Sequence, residues 1–557
     1  MRTETINGQA KAWWKEAVIY QVWPRSFMDA DGDGIGDLRG IIDRLDHIAG
    51  LGIDAVWLSP HFDSPMVDNG YDIRDYRKVN PEFGTMADFD ALLAGVKASG
   101  MRLILDLVVN HTSDEHAWFV ESRASKDSPR RDFYIWHPGR DGGPPNDWRS
   151  FFSGSAWKRD DETGEYYMHL FAEGQPDLNW ENREVRAEIG ELMRFWLDKG
   201  VDGFRMDVIP FIAKDPALPN YPEVHRAAPE FYHAGDPKLH GYLSELRREV
   251  LAPYGAVTIG EAFGVGFEEA CLLTDDRRGE LDMLIHFDAV RIDRGEGWRW
   301  RAWTLPELKR VFSRQDAAMG PHTWRTVCLS NHDNPRLVSH FGDDAEPWRA
   351  PSAKVLATLL LTLKGTPFVY QGDEIGMVNK PLRGLDDFDD IEARNAWAAE
   401  VATGRVPAEE FLFHLARTGR DHARTPVQWD AGPNAGFTTG TPWFAVNPDA
   451  GHVNAAAARA DRDSIYYHYG RLIALRKGRP ELVYGDYRDL APDHPHLWAH
   501  ARIIDGAGVL VLMNFSREPL PLPPLPTAGH LLLGSLAAPG DAATLAPWEA
   551  RIHTLSG

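Results

Sequence analysis

Arg205 and Asp207 stand two residues apart near the end of an otherwise apolar stretch, "KGVDGFRMDVIPF" (199–211). Strand side chains alternate with period two, so both point to one face. A cation beside a carboxylate on a buried face has two readings. It is a structural ion pair, or it is a catalytic carboxylate kept ionised by an arginine. On this stretch alone both stand. The choice turns on whether other acids come to the same place.

Candidates end three other apolar runs. "DLVVNH" supplies Asp106, Asn110 and His111; "VTIGE" ends at Glu261; "CLSNHDNPR" supplies His332, Asp333 and Arg336. Each acid alone could be a helix cap or loop residue. Asp207, Glu261 and Asp333 after three separate runs make that reading weak. The acidic turn "DADGDGIGD" (29–37) is a second constellation. It sets Asp29, Asp31 and Asp33 at alternate positions with Asp37 beyond. Hard oxygen donors at this spacing suit Ca²⁺. Gly34 falls where an EF-hand has its glycine, but the twelfth position is Gly40 instead of a bidentate Glu, so an EF-hand is excluded. The plain alternative is a solvated acidic turn.

The elements that would position these residues form a series. Eight short apolar runs recur, at 17–23, 54–59, 102–109, 201–207, 257–261, 282–287, 325–330 and 366–372. Several are apolar throughout, as parallel strands covered on both faces are. Helical patterns lie between them at 86–100 and 185–200, the latter ending at Gly200. The pattern predicts an α/β (β/α)₈ TIM barrel, with a doubly wound sheet as the alternative. In such a barrel, reactive groups sit where strands run into their following loops.

The spacing divides the chain. Residues 1–109 and 181–482 read as the two parts of the barrel. Residues 110–180, rich in Gly, Pro, Asp and aromatics, read as a subdomain inserted after the third strand. Residues 378–450 read as an irregular insertion after the eighth. From 483 to 557, alternating runs such as "HLWAHARIID" and "GVLVLMNF" predict a small antiparallel β domain.

Composition narrows the partners. A net charge of −22 argues against nucleic acid or anionic membrane, which need a basic surface. No window approaches the roughly 18 consecutive apolar residues of a membrane span. Cys271 and Cys328 offer no disulfide framework. The first twenty residues carry no apolar core of signal-peptide length. A cytoplasmic enzyme acting on a small molecule is the expectation. Oligomeric state is not legible.

The motifs resemble the α-amylase family of glycoside hydrolases. "DLVVNH", "GFRMDVI", "GEAF" and "SNHD" match four of its sequence regions in order, and "QPDLNW" (175–180) and "GTPFVYQGDEIGM" (365–377) match two more. "WWKEAVIYQVWPRSF" and "GRDHARTPVQWD" resemble the oligo-1,6-glucosidase and α-glucosidase branch. This resemblance implies that Asp207 is the nucleophile, Glu261 the acid and base, and Asp333 a holder of the distorted sugar. His111, His332, Arg205 and Arg336 are implied to surround the same ring. Asp68 and Tyr71 of "VDNGYD", with Arg420, are implied to grip the non-reducing end; Phe152, Phe171 and Gln175 are implied to line the pocket. The branch uses the acidic turn for one structural Ca²⁺ (sometimes Mg²⁺), with Ile35 lending its carbonyl. A Val after the nucleophile, here Val208, goes with α-1,6 linkages, and a Thr with α-1,4. The implied activity is an exo-acting retaining α-glucosidase on short oligosaccharides, favouring α-1,6 linkages. The alternatives are an α-1,4 preference and a sucrose-active isomerase or transglucosidase.

Overall fold

The computed structural model describes residues 4–295, 297–537 and 540–555. Its centre is a sheet of eight parallel strands: β1 Ile19–Val22, β2 Ala55–Leu58, β3 Arg102–Val108, β4 Gly203–Asp207, β5 Val257–Glu261, β6 Met283–Ile285, β7 Thr326–Cys328 and β8 Thr366–Tyr370. Each lies inside one of the eight apolar runs. The order is β6-β5-β4-β3-β2-β1-β8-β7, so neighbours in the chain are neighbours in space. The Thr326 hydroxyl donates to the Leu284 carbonyl at 2.9 Å and ties β7 to β6, rounding the sheet into a barrel. The doubly wound alternative is thereby removed, since it would require the strand order to reverse.

Helices cover the outside. α1 (Met86–Ala98) starts with a capping box, in which Thr85 and Asp88 satisfy each other's backbone amides. α2 (Arg183–Lys199) starts on Asn182, whose side chain accepts from the Glu184 amide. It stops at Gly200, which takes the left-handed conformation with φ 106° and lets the chain turn into β4. The turn sets where β4, and with it Arg205 and Asp207, begins.

Residues 110–180 carry a three-stranded antiparallel sheet of short strands, Trp136–His137, Trp157–Arg159 and Tyr166–Met168. The section 378–450 has more regular structure than its composition suggests. It contains the helices Ile391–Ala396 and Ala408–Thr418, which pack Phe411 and Leu415 against Trp298 and Phe388. Most of this small cluster is local, and Trp298, in an excursion after β6, closes it from far away in sequence. The last part of the chain forms a five-stranded antiparallel sheet from Asp486–Asp489 to Ala550–Leu555. Buried Arg502 links it to the barrel by donating to the carbonyls of Thr362 and Leu482, at 2.7 and 2.8 Å. No helix among the described residues is long and apolar enough to cross a membrane.

At Gly200 a Cβ would meet nothing closer than 3.9 Å, so the position is limited by backbone conformation and not by space. Gly200→Ala should therefore lower stability by about 1 kcal/mol or more, read as a lower urea midpoint at unchanged slope. An unchanged midpoint would mean that the turn does not need glycine.

Candidate active site

The register of β3 and β4 brings the first charges together. Arg205 pairs with Asp106 across the two parallel strands, so their side chains share the barrel interior. The Arg205 Nη1 lies 2.9 Å from Asp106 Oδ1 and 2.7 Å from Asp207 Oδ1, and its Nη2 lies 2.7 Å from Glu261 Oε1. One buried guanidinium thus joins the ends of β3, β4 and β5. Both readings of the opening stretch hold at once: the ion pair exists, and it is the core of the site.

Asp207 and Glu261 behave as a pair. Burial and the charge of Glu261 push the Asp207 carboxyl well above its usual range, against the pull of Arg205. Two carboxyls sharing one cation oppose each other's ionisation, which adds to the effect of burial on Asp207. Glu261 is fixed from a second side, since its Oε2 accepts from the Val208 amide at 2.9 Å. This contact depends on an unusual turn. Val208 has φ 33° and ψ 39°, a left-handed conformation that a β-branched residue rarely adopts. The chain bends at Val208 itself, and Pro210 lies in the short turn Ile209–Ile212 that follows.

A chain of hydrogen bonds completes this side. The Gln21 amide donates to His332 Nδ1 at 2.8 Å, which leaves the proton on Nε2. That nitrogen faces the Tyr71 hydroxyl at 2.6 Å, and the hydroxyl donates to Asp106 Oδ2 at 3.1 Å. Trp57 Nε1 donates to the same oxygen at 3.1 Å. His332 also lies 3.1 Å from Asp333 Oδ2. Burial alone would raise Asp333, but His332, Arg420 and Arg424 together hold its carboxyl well below the usual range. Asp333 Oδ1 meets Arg420 Nη1 at 3.1 Å and Arg424 Nη2 at 3.0 Å.

Arg420 also anchors the far wall. Its Nε meets Asp390 Oδ2 at 3.0 Å, its Nη2 contacts Asp390 Oδ1, and its guanidinium covers the Phe152 ring at 5.3 Å. Asp68, expected as its principal partner, is 3.7 Å away. Burial pushes the Asp68 carboxyl up to about 7, only partly opposed by Arg420 and Arg424. Gln175 donates to Asp68 Oδ2 at 3.2 Å, while Asp68 Oδ1 is buried and accepts no hydrogen bond among the described residues. Phe171 packs edge to face on Phe152 and tilts over His111, with ring centres 5.6 and 5.2 Å apart. Asp390 and Arg424 were missed by the sequence reading. Arg424 has a faint signal, four residues after Arg420; Asp390 sits in a run of acids with none.

Arg336 is a correction. It does not face the ring but is consumed by backbone oxygens: Gln371 at 2.7 Å, His422 at 3.0 Å and Thr425 at 3.0 Å. Its role is to pin the loop that carries Arg420 and Arg424. Motif membership could not distinguish a sugar contact from a loop anchor.

The acidic turn lies apart from this pocket. Asp29, Asp31 and Asp37 each bring a carboxylate oxygen within 4.8 Å of the others. Asp33 is not part of that group; its Oδ1 accepts from the Ile35 amide at 2.7 Å. A Cβ on Gly34 would lie 1.9 Å from the Thr441 carbonyl, so only glycine allows this close approach. Asp37 caps a helix by accepting from the Gly40 amide at 2.7 Å. Burial, with Asp29 and Asp31 nearby, raises the Asp37 carboxyl. Converging hard oxygens whose ionisation is mutually opposed fit a divalent cation.

The chain matches known proteins over most of its length. The family described as "Alpha amylase, catalytic domain" matches residues 21–485, and a domain of unknown function matches 485–552. An oligo-1,6-glucosidase of Parageobacillus thermoglucosidasius is 47% identical over 98% of this chain and 99% of its own. The trehalulose synthase of Pseudomonas mesoacidophila MX-45 superposes with a TM-score of 0.96 at 48% identity, covering 98% of this chain and all of the other. An isomaltulose synthase variant from Erwinia rhapontici NX5, solved with its natural substrate sucrose, gives 0.96 at 46% identity with the same coverage. A closing barrel, an arginine-joined carboxyl pair at the ends of β4 and β5, and these matches lead to one conclusion: the chain belongs to the α-amylase family of glycoside hydrolases.

Proposed function

We propose that this enzyme is an exo-acting, retaining α-glucosidase that removes glucose from the non-reducing end of short α-1,6-linked oligosaccharides. The observation that carries the exo reading is the closed end of the pocket. There Asp68, Gln175, Arg420 and Asp390 form a polar wall, and Asp68 keeps a buried acceptor oxygen for a terminal sugar hydroxyl. A chain continuing past the terminal glucose would have to displace that wall. The likeness to oligo-1,6-glucosidases supports the linkage.

The residues act as follows. Arg205 and the growing positive charge at the anomeric carbon favour the ionised form of Asp207, so the proton of the pair sits on Glu261 as the reaction proceeds. Asp207 attacks the anomeric carbon while Glu261 protonates the departing glycosidic oxygen. Water then enters, Glu261 takes its proton, and the bond to Asp207 breaks, restoring the starting configuration. Asp333, held ionised, accepts sugar hydroxyls and stabilises the distorted ring.

The second reading is a sucrose-active isomerase, favoured by the 0.96 superposition on the two sugar synthases. Glucose release from isomaltose, maltose and sucrose, with product identification, separates the two. Free glucose from isomaltose at the highest kcat/KM supports the glucosidase; a rearranged disaccharide from sucrose supports the isomerase.

Asp29, Asp31 and Asp37 would hold one Ca²⁺ or Mg²⁺, whose contribution is to neutralise three acids and brace the turn against the segment 438–443. Asp33 and the Ile35 carbonyl complete the expected ligand set.

Three outcomes test these assignments. Asp207→Asn should abolish turnover with the fold intact, and Glu261→Gln should lose far more activity on natural sugars than on substrates with good leaving groups, which need less proton donation. Equal losses on both substrate types would remove Glu261 from the acid role. Chelation should lower the melting temperature, and Asp31→Ala should abolish that sensitivity, because a ligand of the native state stabilises by mass action. A melting curve indifferent to chelator would leave the turn without a metal. Val208→Thr should raise activity on maltose relative to isomaltose by about ten-fold, if a methyl-to-hydroxyl contrast is worth about 1.4 kcal/mol. Both side chains are β-branched, so the strained turn is common to wild type and variant. A ratio unmoved by the substitution would place linkage choice elsewhere on the rim.

A further inference from the structure

Lys214 is a buried ammonium that the chemistry above does not use. It lies 2.9 Å from Asp177 Oδ2 and donates to the Phe211 carbonyl at 2.7 Å and to Asn110 Oδ1 at 2.8 Å. The last contact has a consequence two groups away. An ammonium can only donate, so the Asn110 oxygen must face Lys214 and its NH₂ must face the other way. That NH₂ lies 3.1 Å from His111 Nδ1. An amide N–H pointed at a ring nitrogen requires a lone pair there, which places the single proton of neutral His111 on Nε2. Nε2 in turn lies 3.1 Å from the Tyr71 carbonyl, an acceptor that accepts this proton and would repel a lone pair. Burial lowers the His111 pKa to about 4, so the ring is neutral where the enzyme works and its tautomer matters.

The opposite arrangement also has support, and so needs to be excluded by something. Gln175 Nε2 is 3.2 Å from His111 Nε2 and could donate to a lone pair there. With Asn110 free to turn its oxygen to Nδ1, both tautomers would be satisfied. The Lys214 ammonium, which burial disfavours and Asp177 at 2.9 Å supports, removes that freedom. His332 on the other side of the pocket is set the same way, by the Gln21 amide at Nδ1.

We propose that Lys214 is a positioning residue: through Asn110 it holds His111 in the Nε2–H tautomer, so that the ring donates to the Tyr71 carbonyl and is fixed in the orientation it needs in the pocket wall. The step from tautomer to activity rests on the reading of His111 as a sugar-binding group.

The test is the double variant K214M/D177N, which removes both charges of the buried pair together and leaves no uncompensated ion. D177N alone is the control that keeps the Lys214–Asn110 bond. Histidine-ring ¹⁵N spectra report the tautomer, with the His111→Ala spectrum assigning the signals. In wild type and D177N, Nδ1 of His111 should appear as a bare acceptor. In the double variant the two tautomers should mix, and kcat/KM on isomaltose should fall by about 10- to 100-fold relative to D177N. A folded double variant with a single Nε2–H tautomer would overturn the proposal. So would Nδ1–H in the wild type. If the double variant does not fold, Asn110→Ala, which removes the link and keeps the Lys214–Asp177 pair, takes its place, and a single Nε2–H tautomer in it would overturn the proposal equally. Should His111→Ala keep full activity, the sugar-binding reading fails while the tautomer result stands by itself.

Discussion

The active end of the barrel depends on one interaction, the Arg205 guanidinium set among three carboxylates. Three acids cannot be buried together without a cation, because desolvation of each charge costs several kcal/mol and their mutual repulsion adds to it. Arg205 contacts Asp106, Asp207 and Glu261, each within 3 Å. Its charge is one against three, so the acids are not fully neutralised. The deficit is met in part by donors on Asp106 from Trp57 and Tyr71; for Asp207, burial and the Glu261 charge outweigh Arg205 and push the carboxyl well above its usual range.

A second group of cations works the other way. Arg420 and Arg424 both touch Asp333, and the carboxyl is held well below its ordinary range. The same two arginines fail to hold Asp68 ionised, because the nearest contact is 3.7 Å and burial dominates. Distance therefore separates two chemically identical side chains into an ionised charge stabiliser and an acid near its midpoint at neutral pH. Arg336 contributes by tying that loop to backbone carbonyls. It acts on the ring only through the arginines it positions.

The site also stores conformational strain. A left-handed valine costs on the order of 1–3 kcal/mol and persists only where the surroundings over-determine it. Here the Val208 amide is pinned by Glu261, and Pro210 pre-shapes the short turn after it. The turn gives Glu261 a second fixed contact and brings the side chain after Asp207 out of strand alternation. Without the bend, Val208 would point away from the face that carries Asp207.

Much of this was legible in the chain because it follows from local periodicity. Eight apolar runs separated by helix-like segments imply eight parallel strands, and period-two alternation puts Arg205 and Asp207 on one face whatever the partners. Loop chemistry was legible for the same reason at Gly200 and in the turn at 29–37. What the sequence could not express is distance between segments far apart. Asp390 as the main partner of Arg420, Arg336 as an anchor, and Lys214 reaching Asn110 across 104 residues arise only when separate loops close over the strand ends. The helices inside 378–450 form a cluster mostly among themselves, which Trp298 closes from far away in sequence. The protonation pattern belongs to tertiary structure as well. Residue types name the possible acids, but burial and the spacing of three arginines decide which acid keeps its proton.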